Sequence, residues 1–342
     1  MRQNNIFLML LKVFFFSSIL VATSAVRAEL KVVTTIKPLH SLIANVMDGV
    51  GEPALIIEGS TSPHSFTLKP SHAKLLEEAD IIFWVGESIE TFMERPLESI
   101  VKNAEVVEFM EVESINKLKF REESIFEDHD DHDHHDDHDD HDDHDDHDDH
   151  DDHDDHDDHD DHDDHSGHDH HGHAHGEFDA HIWLDPMNAK EMVHEIAHEL
   201  GDLDPANKNK YEANAQATIQ ALDQLVNDIE KGINKDAKFV VFHDAYQYFE
   251  ERFGVRAAGA LTLNTDVLPG AKQIADIQDV IKDRGIKCIF SEPQFNPKII
   301  TTIAEDMNIK TGVFDPLGAN IDSNKDLYFK LIQNLGNELK GC

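Results

Sequence analysis

A long stretch of the chain consists almost entirely of histidine and aspartate. Much of it is a His-Asp-Asp repeat, and residues 128–175 hold 19 of the 26 histidines in the sequence. Imidazole nitrogen and carboxylate oxygen are ligands for divalent transition metals, zinc above all. A stretch with so little apolar surface cannot fold alone. A solvated acidic linker has no need of imidazoles that are mostly neutral at pH 7, so the composition favours metal binding.

We therefore predict that this histidine-aspartate tract, residues 128–175, is a disordered insertion that binds metal with low affinity. The candidate ligands in the tract are His129, His132, His134, His135, His138, His141, His168, His170, His171, His173 and His175.

Four other residues with metal-binding side chains lie beside predicted strands or where the chain re-enters the fold: His64, His181, His243 and Asp315. In open α/β sheets, ligands bind beyond the carboxyl ends of the strands. Two of the four come from each half of the chain, so all four could meet in a cleft. Three imidazoles with a carboxylate or water make a tetrahedral zinc site. A single histidine at a strand end is more often structural, so the prediction depends on their joint placement.

The sequence also matches the zinc-protease motif H-E-x-x-H at residues 194–198. On a helix, the apolar stripe would contain Met192, Ile196 and Leu200, and the two histidines would lie roughly opposite it. We interpret the motif as the polar face of a surface helix. The motifs of serine hydrolases, P-loop proteins and dinucleotide-binding proteins are absent, which favours a binding protein over an enzyme.

The elements that would position these residues follow an α/β rhythm, in which apolar runs alternate with helical patterns. The predicted strands are residues 31–36, 54–58, 81–85, 105–109, 239–243, 257–261, 287–292 and 311–315. One predicted helix begins at Pro38, and four more span residues 71–79, 244–253, 269–283 and 296–307. Between residues 185 and 234 no strand is predicted. Asp185-Pro186 starts one helix there, and Asp204-Pro205 starts another of about 25 residues.

This pattern predicts two small lobes with parallel sheets, linked by the long helix, with the metal site in the cleft between them. Residues 1–28 are expected to be a signal peptide, with a membrane anchor as the alternative. Residues 29–184 form the N-terminal α/β lobe, which includes the tract. Residues 185–235 are the helix pair, and residues 236–342 form the C-terminal α/β lobe.

Charge and cysteine usage narrow the function further. The formal net charge is −41, and without the 25 aspartates of the tract it would still be −16, which argues against nucleic acid or anionic membranes as partners. Cys288 and Cys342 are the only cysteines. In an oxidising compartment such a pair suggests one disulfide, with two unpaired thiols as the alternative.

Four separated motifs give the chain a family resemblance. It resembles the zinc-specific periplasmic solute-binding proteins of ABC uptake systems, and the resemblance covers nearly the whole chain after residue 28. The motifs are SPHSFTLKPS at 62–71, HIWLDP at 181–186, FHDAY at 242–246 and FDPLG at 314–318. A histidine-rich insertion before the second motif and a cysteine pair placed like this one are also typical of the zinc members.

The resemblance implies that His64, His181 and His243 bind Zn²⁺, with water or a carboxylate such as Asp315 completing the site. It implies a periplasmic protein that delivers zinc to an inner-membrane ABC permease with a cytoplasmic ATPase, and we expect the protein to be a monomer. One alternative is manganese transport, which is disfavoured because manganese relatives tend to have glutamate in place of His243. Another is a metal-binding adhesin or a metal buffer. His40 and His72 fall on predicted helices and are interpreted as non-ligands.

Overall fold

The structure is a computed structural model that describes residues 29–125, 176–263, 265 and 269–342. The predicted signal peptide and the histidine-aspartate tract lie outside the described residues. Within the described part of the chain, no helix combines the length and the apolar character needed to cross a membrane.

The first sheet has four parallel strands in the order β2-β1-β3-β4. Its strands are β1 (Val32–Thr34), β2 (Ala54–Leu55), β3 (Ile81–Trp84) and β4 (Glu105–Glu108), connected by α1 (Lys37–Val46), α2 (Pro70–Glu78) and α3 (Glu94–Ser99). Strands β1 and β3 are buried over their whole length, as expected of the central strands of a parallel sheet. The carboxyl ends of these strands therefore share one edge.

A pair of helices follows the first sheet: α4 (Pro186–Leu203) and α5 (Lys208–Gly232). Helix α4 starts where the sequence predicts, because the Asp185 carboxylate accepts a 2.8 Å hydrogen bond from the Met187 amide and Pro186 occupies the first helical position. Helix α5 is 25 residues long, close to the predicted length. Its buried stripe includes Tyr211, Leu222 and Ile229.

The second sheet repeats the topology of the first, with four parallel strands in the order β6-β5-β7-β8. Its strands are β5 (Phe239–His243), β6 (Ala260–Thr262), β7 (Cys288–Ser291) and β8 (Lys310–Val313); its helices are α6 (Gln247–Phe253), α7 (Ala271–Asp283), α8 (Lys298–Met307) and α9 (Leu327–Leu339). The predicted α/β class with two parallel sheets is confirmed. Helix α9 was missing from the prediction.

The two halves are joined by packing as well as by the chain. Helix α5 contacts α1 of the first half and α9 of the second, and α9 also lies directly against α1. The approach of α9 to α5 is close: a Cβ atom at Gly336 would lie 3.2 Å from the Ile229 side chain. Side chains from both sheets belong to one continuous core. Contacts between helices of both halves therefore support the site that lies between the sheets.

The predicted disulfide is confirmed, since Cys288 in β7 is bonded to Cys342 at the end of the chain. It closes a loop with a sequence separation of 54 residues. In the chain-entropy model such a crosslink stabilises the fold by about 4 kcal/mol. The bond ties the segment after α9 to the centre of the second sheet.

Candidate metal centre

Three of the four predicted site residues come together between the two sheets. His64 lies in the short 3-10 turn Pro63–Ser65, in the loop that follows β2, and its amide donates to the Ser62 hydroxyl at 3.3 Å. His243 is the last residue of β5. His181 immediately precedes the 3-10 turn Ile182–Leu184, which leads into α4. Separate loops and one strand end thus bring three imidazoles to a single point.

The three imidazoles form a compact group. Their ring centroids are 5.6 Å apart for His64 and His181, 5.6 Å for His64 and His243, and 5.0 Å for His181 and His243. One nitrogen from each ring lies within 4.8 Å of the others. Among the described residues, no other set of three histidine, cysteine or carboxylate side chains comes together in this way. The spacing suits a single ion bound by all three rings.

A buried carboxylate holds His181 in place. The Asp179 Oδ1 atom lies 2.7 Å from the His181 Nδ1 atom and also accepts the His181 backbone amide at 3.0 Å. An ionised carboxylate only accepts hydrogen bonds, so Nδ1 carries the proton and donates it. The lone pair of His181 is then on Nε2. Asp179 is itself held by Gln247, whose amide nitrogen is 3.2 Å from Oδ2.

His243 has a matching partner from a different strand. The Glu292 carboxylate follows β7, and its two oxygens lie 3.0 and 3.1 Å from the His243 Nδ1 atom. Burial lowers the pKa of His243, but the charge of Glu292 and its hydrogen bond outweigh burial, so the pKa is raised overall. Both groups are buried. This pairing also directs the His243 Nε2 atom away from the carboxylate.

The chemistry of these donors fits a borderline metal ion. The His243 Nε2 atom is buried and has no hydrogen-bond partner among the described residues. A buried imidazole nitrogen in that position would normally be satisfied, because leaving a polar atom unpaired costs free energy. A carboxylate on the far nitrogen of a metal-binding histidine is the usual outer support of a zinc site. The arrangement therefore fits a divalent cation bound through Nε2.

A buried ion-pair network of Arg121, Asp244 and Glu250 lies next to His243 in sequence. The Arg121 guanidinium donates to Asp244 at 3.0 Å and to Glu250 at 2.6 Å, and both carboxylates are buried. Burial raises the pKa of Asp244 to about 7 despite the nearby Arg121 charge. Asp244 directly follows His243, so this cation balances negative charge that would otherwise accumulate next to the histidines.

The structure does not bring Asp315 into the histidine group. Its Oδ1 atom accepts from the amides of Leu317 and Gly318 at 3.1 and 3.0 Å, and its Oδ2 atom accepts from the Ala319 amide at 2.6 Å. The side-chain nitrogen of Gln294 also donates to Oδ1, at 3.0 Å. Both carboxylate oxygens therefore accept hydrogen bonds from the loop after β8. A ligand role for Asp315 stays a prediction.

Asp179 and Glu292, which orient two of the three histidines, were not predicted from the sequence. Each had a weak signal. Asp179 lies two residues before His181, and Glu292 ends a predicted strand, where functional residues collect. His40 and His72 lie on α1 and α2, away from the group; the Nε2 atom of His40 lies 3.1 Å from the Pro53 carbonyl oxygen.

The H-E-x-x-H motif lies on α4, as predicted. His194 and His198 are exposed, and Glu195 is half-buried. The buried face of the helix contains Met192, Ile196 and Leu200. The polar-face interpretation is therefore confirmed for this helix.

Known proteins are similar to this chain in sequence. The chain matches the family model of the periplasmic zinc-uptake complex component A over residues 32–342. It is 50% identical over 313 residues to the high-affinity zinc uptake system protein ZnuA of Brucella abortus, with 91% of each chain covered.

Solved structures share the fold. A crystal structure of ZnuA matches with a TM-score of 0.67 at 20% identity, covering 90% of this chain and 98% of that one. A laminin-binding protein of Streptococcus agalactiae, described as an adhesin with metal-transporting activity, matches with a TM-score of 0.65 at 23% identity, covering 91% of this chain and all of that one. At such identities the likeness concerns the fold alone.

Proposed function

The chain belongs to the ZnuA family of periplasmic zinc-uptake components, and from this premise we propose that it captures Zn²⁺ with His64, His181 and His243 and delivers it to an ABC permease. The observation that carries the proposal is the convergence of three imidazoles from both halves of the molecule. Two of them are held by buried carboxylates on the far nitrogen. Zinc here is the cargo.

The surroundings of the histidines favour storage and transfer over hydrolysis. The small cavity that contains them is lined by apolar side chains, among them Ile89, Trp183, Phe295 and Leu317. Such a lining restricts water, which a hydrolytic zinc site would need in an open position. A closed site releases its ion slowly, so delivery requires that the permease displace part of the wall.

The choice of zinc over manganese follows from the ligand types. Imidazole binds zinc well, whereas manganese favours carboxylate and carbonyl oxygen. In the described residues the grouped donors are nitrogens only. Manganese is therefore expected to bind far more weakly.

A competition titration tests the proposal. The chain and its His243→Ala variant are titrated with zinc, then with manganese, against a chelator of known affinity. The proposal expects one tight zinc site in the wild type, its loss in the variant, and no tight manganese site in either. Tight zinc binding by the variant would show that the site does not depend on His243. Tight manganese binding would contradict the assignment of zinc as the cargo.

We further propose that the histidine-aspartate tract is a low-affinity antenna that raises the local zinc concentration near the tight site. The described residues on either side of the tract are Ile125 and Gly176. Ile125 forms an isolated β-bridge with Gly259, just before β6. Lys119 forms another with Phe178, three residues before His181. Deleting residues 128–175 should lower the zinc stoichiometry in isothermal titration and leave one tight site. Loss of the tight site on deletion would contradict the division into two kinds of site.

The remaining parts of the proposal concern partners and place. Membership of the family supports a periplasmic protein that works with a membrane permease and a cytoplasmic ATPase. We propose that the chain acts as a monomer, which sedimentation of the zinc-loaded protein would test.

A further inference from the structure

One wall of the histidine cavity is built by the loop after β8. Pro316 and Leu317 line the cavity, although they belong to the second half of the molecule and His64 to the first. A hydrogen bond connects this loop, residues 315–321, to the segment that carries His181: the Trp183 indole nitrogen donates to the Pro316 carbonyl at 2.7 Å. The Trp183 ring in turn lies 5.3 Å from the His181 ring. Movement of the loop would therefore displace Trp183, which lies beside the proposed ligand His181.

The backbone amides of the 315–321 loop are held from within the second half, by the Asp315 carboxylate described above. Its conformation is also specific, since Gly318 has a φ of +67° and a Cβ there would approach the Leu327 side chain at 3.3 Å. A non-glycine residue would be strained in this left-handed region. The amide side of the loop is thus organised locally.

The carbonyl side of the loop is held by a residue from the other half of the molecule. The Nζ atom of Lys37, the first residue of α1, donates to the carbonyls of Gly318, Ala319 and Ile321 at 2.7, 3.1 and 2.6 Å. Lys37 is only 5% exposed. An ammonium group has three donors and no acceptor, so the loop satisfies it completely.

The charges around Lys37 favour its contact with the loop. Burial lowers the pKa of Lys37, and the charges of Asp315 and Asp322 oppose that effect. Burying an ammonium group is costly unless it is fully hydrogen-bonded. The Lys37 ammonium group is therefore stabilised while the loop and the start of α1 stay together.

We propose that Lys37 is a positioning residue that latches the 315–321 loop over the three histidines and thereby sets the rate at which zinc leaves the site. This inference rests on the proposed zinc site. With the latch in place, an outward movement of the loop must break three hydrogen bonds across the two halves, one of them buried and two part-buried. A permease that separates Lys37 from the loop would release the ion without protonating any ligand.

Lys325 provides a matched control, because it also connects the two halves. Its Nζ atom lies 2.6 Å from the Asp48 carboxylate, just after α1, and the pair is exposed. This ion pair makes no contact with the carbonyls that Lys37 holds. A Lys325→Met variant removes an inter-lobe lysine contact and leaves the latch intact.

The experiment uses the full chain loaded with one equivalent of zinc and mixed with an excess of a chromogenic chelator in a stopped-flow instrument. The slow phase is assigned to the tight site by its absence in the His243→Ala variant. Lys37→Met should speed the slow phase about tenfold, in the range found for outer supports of metal sites. Lys325→Met should change it less than about twofold.

The outcomes separate this inference from the proposed function. If the wild type has no slow phase, or the phase persists in His243→Ala, the zinc site itself is misplaced. If the phase is present and His243-dependent but Lys37→Met matches Lys325→Met, the latch is wrong and the site stands. Should Lys37→Met fail to fold, Lys37→Arg serves instead, since a planar guanidinium cannot direct three donors at the same three carbonyls. An unchanged slow phase in a folded Lys37→Arg protein would equally overturn the latch.

Discussion

Two sets of histidines in this protein differ in how they are placed along the chain and in how the fold surrounds them. His194 and His198 are neighbours in sequence and match a zinc-protease motif, yet both are exposed on one face of α4. His64, His181 and His243 are scattered over 180 residues, yet their rings lie 5.0 to 5.6 Å apart. Closeness along the chain was therefore a poor guide to the candidate metal site.

The difference lies in what surrounds each set. His198 pairs with Glu199 at 3.0 Å, but its side chain is 63% exposed, so water competes for every contact. The side chains of His181 and His243 are 5% and 4% exposed, and each has a buried carboxylate on Nδ1. The carboxylate fixes the tautomer and the ring orientation, and burial makes an unpaired nitrogen costly. Those conditions create a strong ligand from an ordinary side chain.

The largest effect on zinc affinity is expected from a substitution in the buried set of histidines, whereas substitutions in the exposed set should have none. In the chain lacking residues 128–175, His243→Ala should weaken zinc binding by more than about a hundredfold, because losing a ligand costs more than losing an outer support. The double variant His194→Ala/His198→Ala should bind zinc like the parent. Competition titration measures both. The comparison would fail if the double variant lost tight binding.

A smaller effect is expected from the carboxylates that only the buried set possesses. Asp179→Asn and Glu292→Gln should each weaken zinc binding by about ten- to a hundredfold, since the amide supports the imidazole less strongly than the carboxylate. Glu199→Gln beside His198 is the matched control and should have no effect on zinc affinity. Equal affinities for all three variants would show that the buried carboxylates serve folding alone.

The pH dependence sharpens the same comparison. Because Glu292 raises the pKa of His243, protons compete with zinc at a higher pH than for an ordinary imidazole. Glu292→Gln removes that charge and should shift the midpoint of zinc release, relative to the plateau at high pH, to lower pH. Titrations at a series of pH values measure the shift. A midpoint that stays in place or rises contradicts the assigned cause.

The metal-free protein should show the opposite trend in stability. A raised histidine pKa means that the His243–Glu292 pair stabilises the fold fully below the ordinary pKa of 6.5 and loses that contribution as the pH rises through the raised value. Denaturant unfolding of the metal-free wild type and Glu292→Gln across this range checks the sign. A difference between them that grows with rising pH would refute it.

The smallest effect is expected on the exposed helix face. Glu195→Gln in the H-E-x-x-H motif should change the free energy of unfolding by less than about 0.5 kcal/mol, because surface substitutions rarely do more. It should also leave zinc affinity unchanged. Thermal unfolding and a peptide-cleavage assay test this. Proteolysis by the wild type that disappears in Glu195→Gln would overturn the binding-protein interpretation.

The prediction of secondary structure succeeded where local patterns were strong and erred where tertiary contacts intervened. Strand β5 has the predicted bounds, since its run of buried residues is continuous. Helix α6 starts at Gln247 and not at residue 244, because the Asp244 amide still donates to the Thr262 carbonyl of β6 at 3.2 Å. Strand β8 ends at Val313, two residues early, because Asp315 turns back to hold the 315–321 loop.

The sequence by itself determined the alternation of strands and helices, the two-sheet class and the identity of the histidines that could meet, because hydrophobic periodicity and side-chain chemistry are local properties. Only the tertiary structure decided which groups support them. Asp179 and Glu292 were assigned by contacts across 2 and 49 residues, and Lys37 by contacts across more than 280. The contact of Lys37 depends on how the two halves pack and that of Glu292 on the pairing of β5 with β7, and neither packing nor strand pairing is encoded by a single segment.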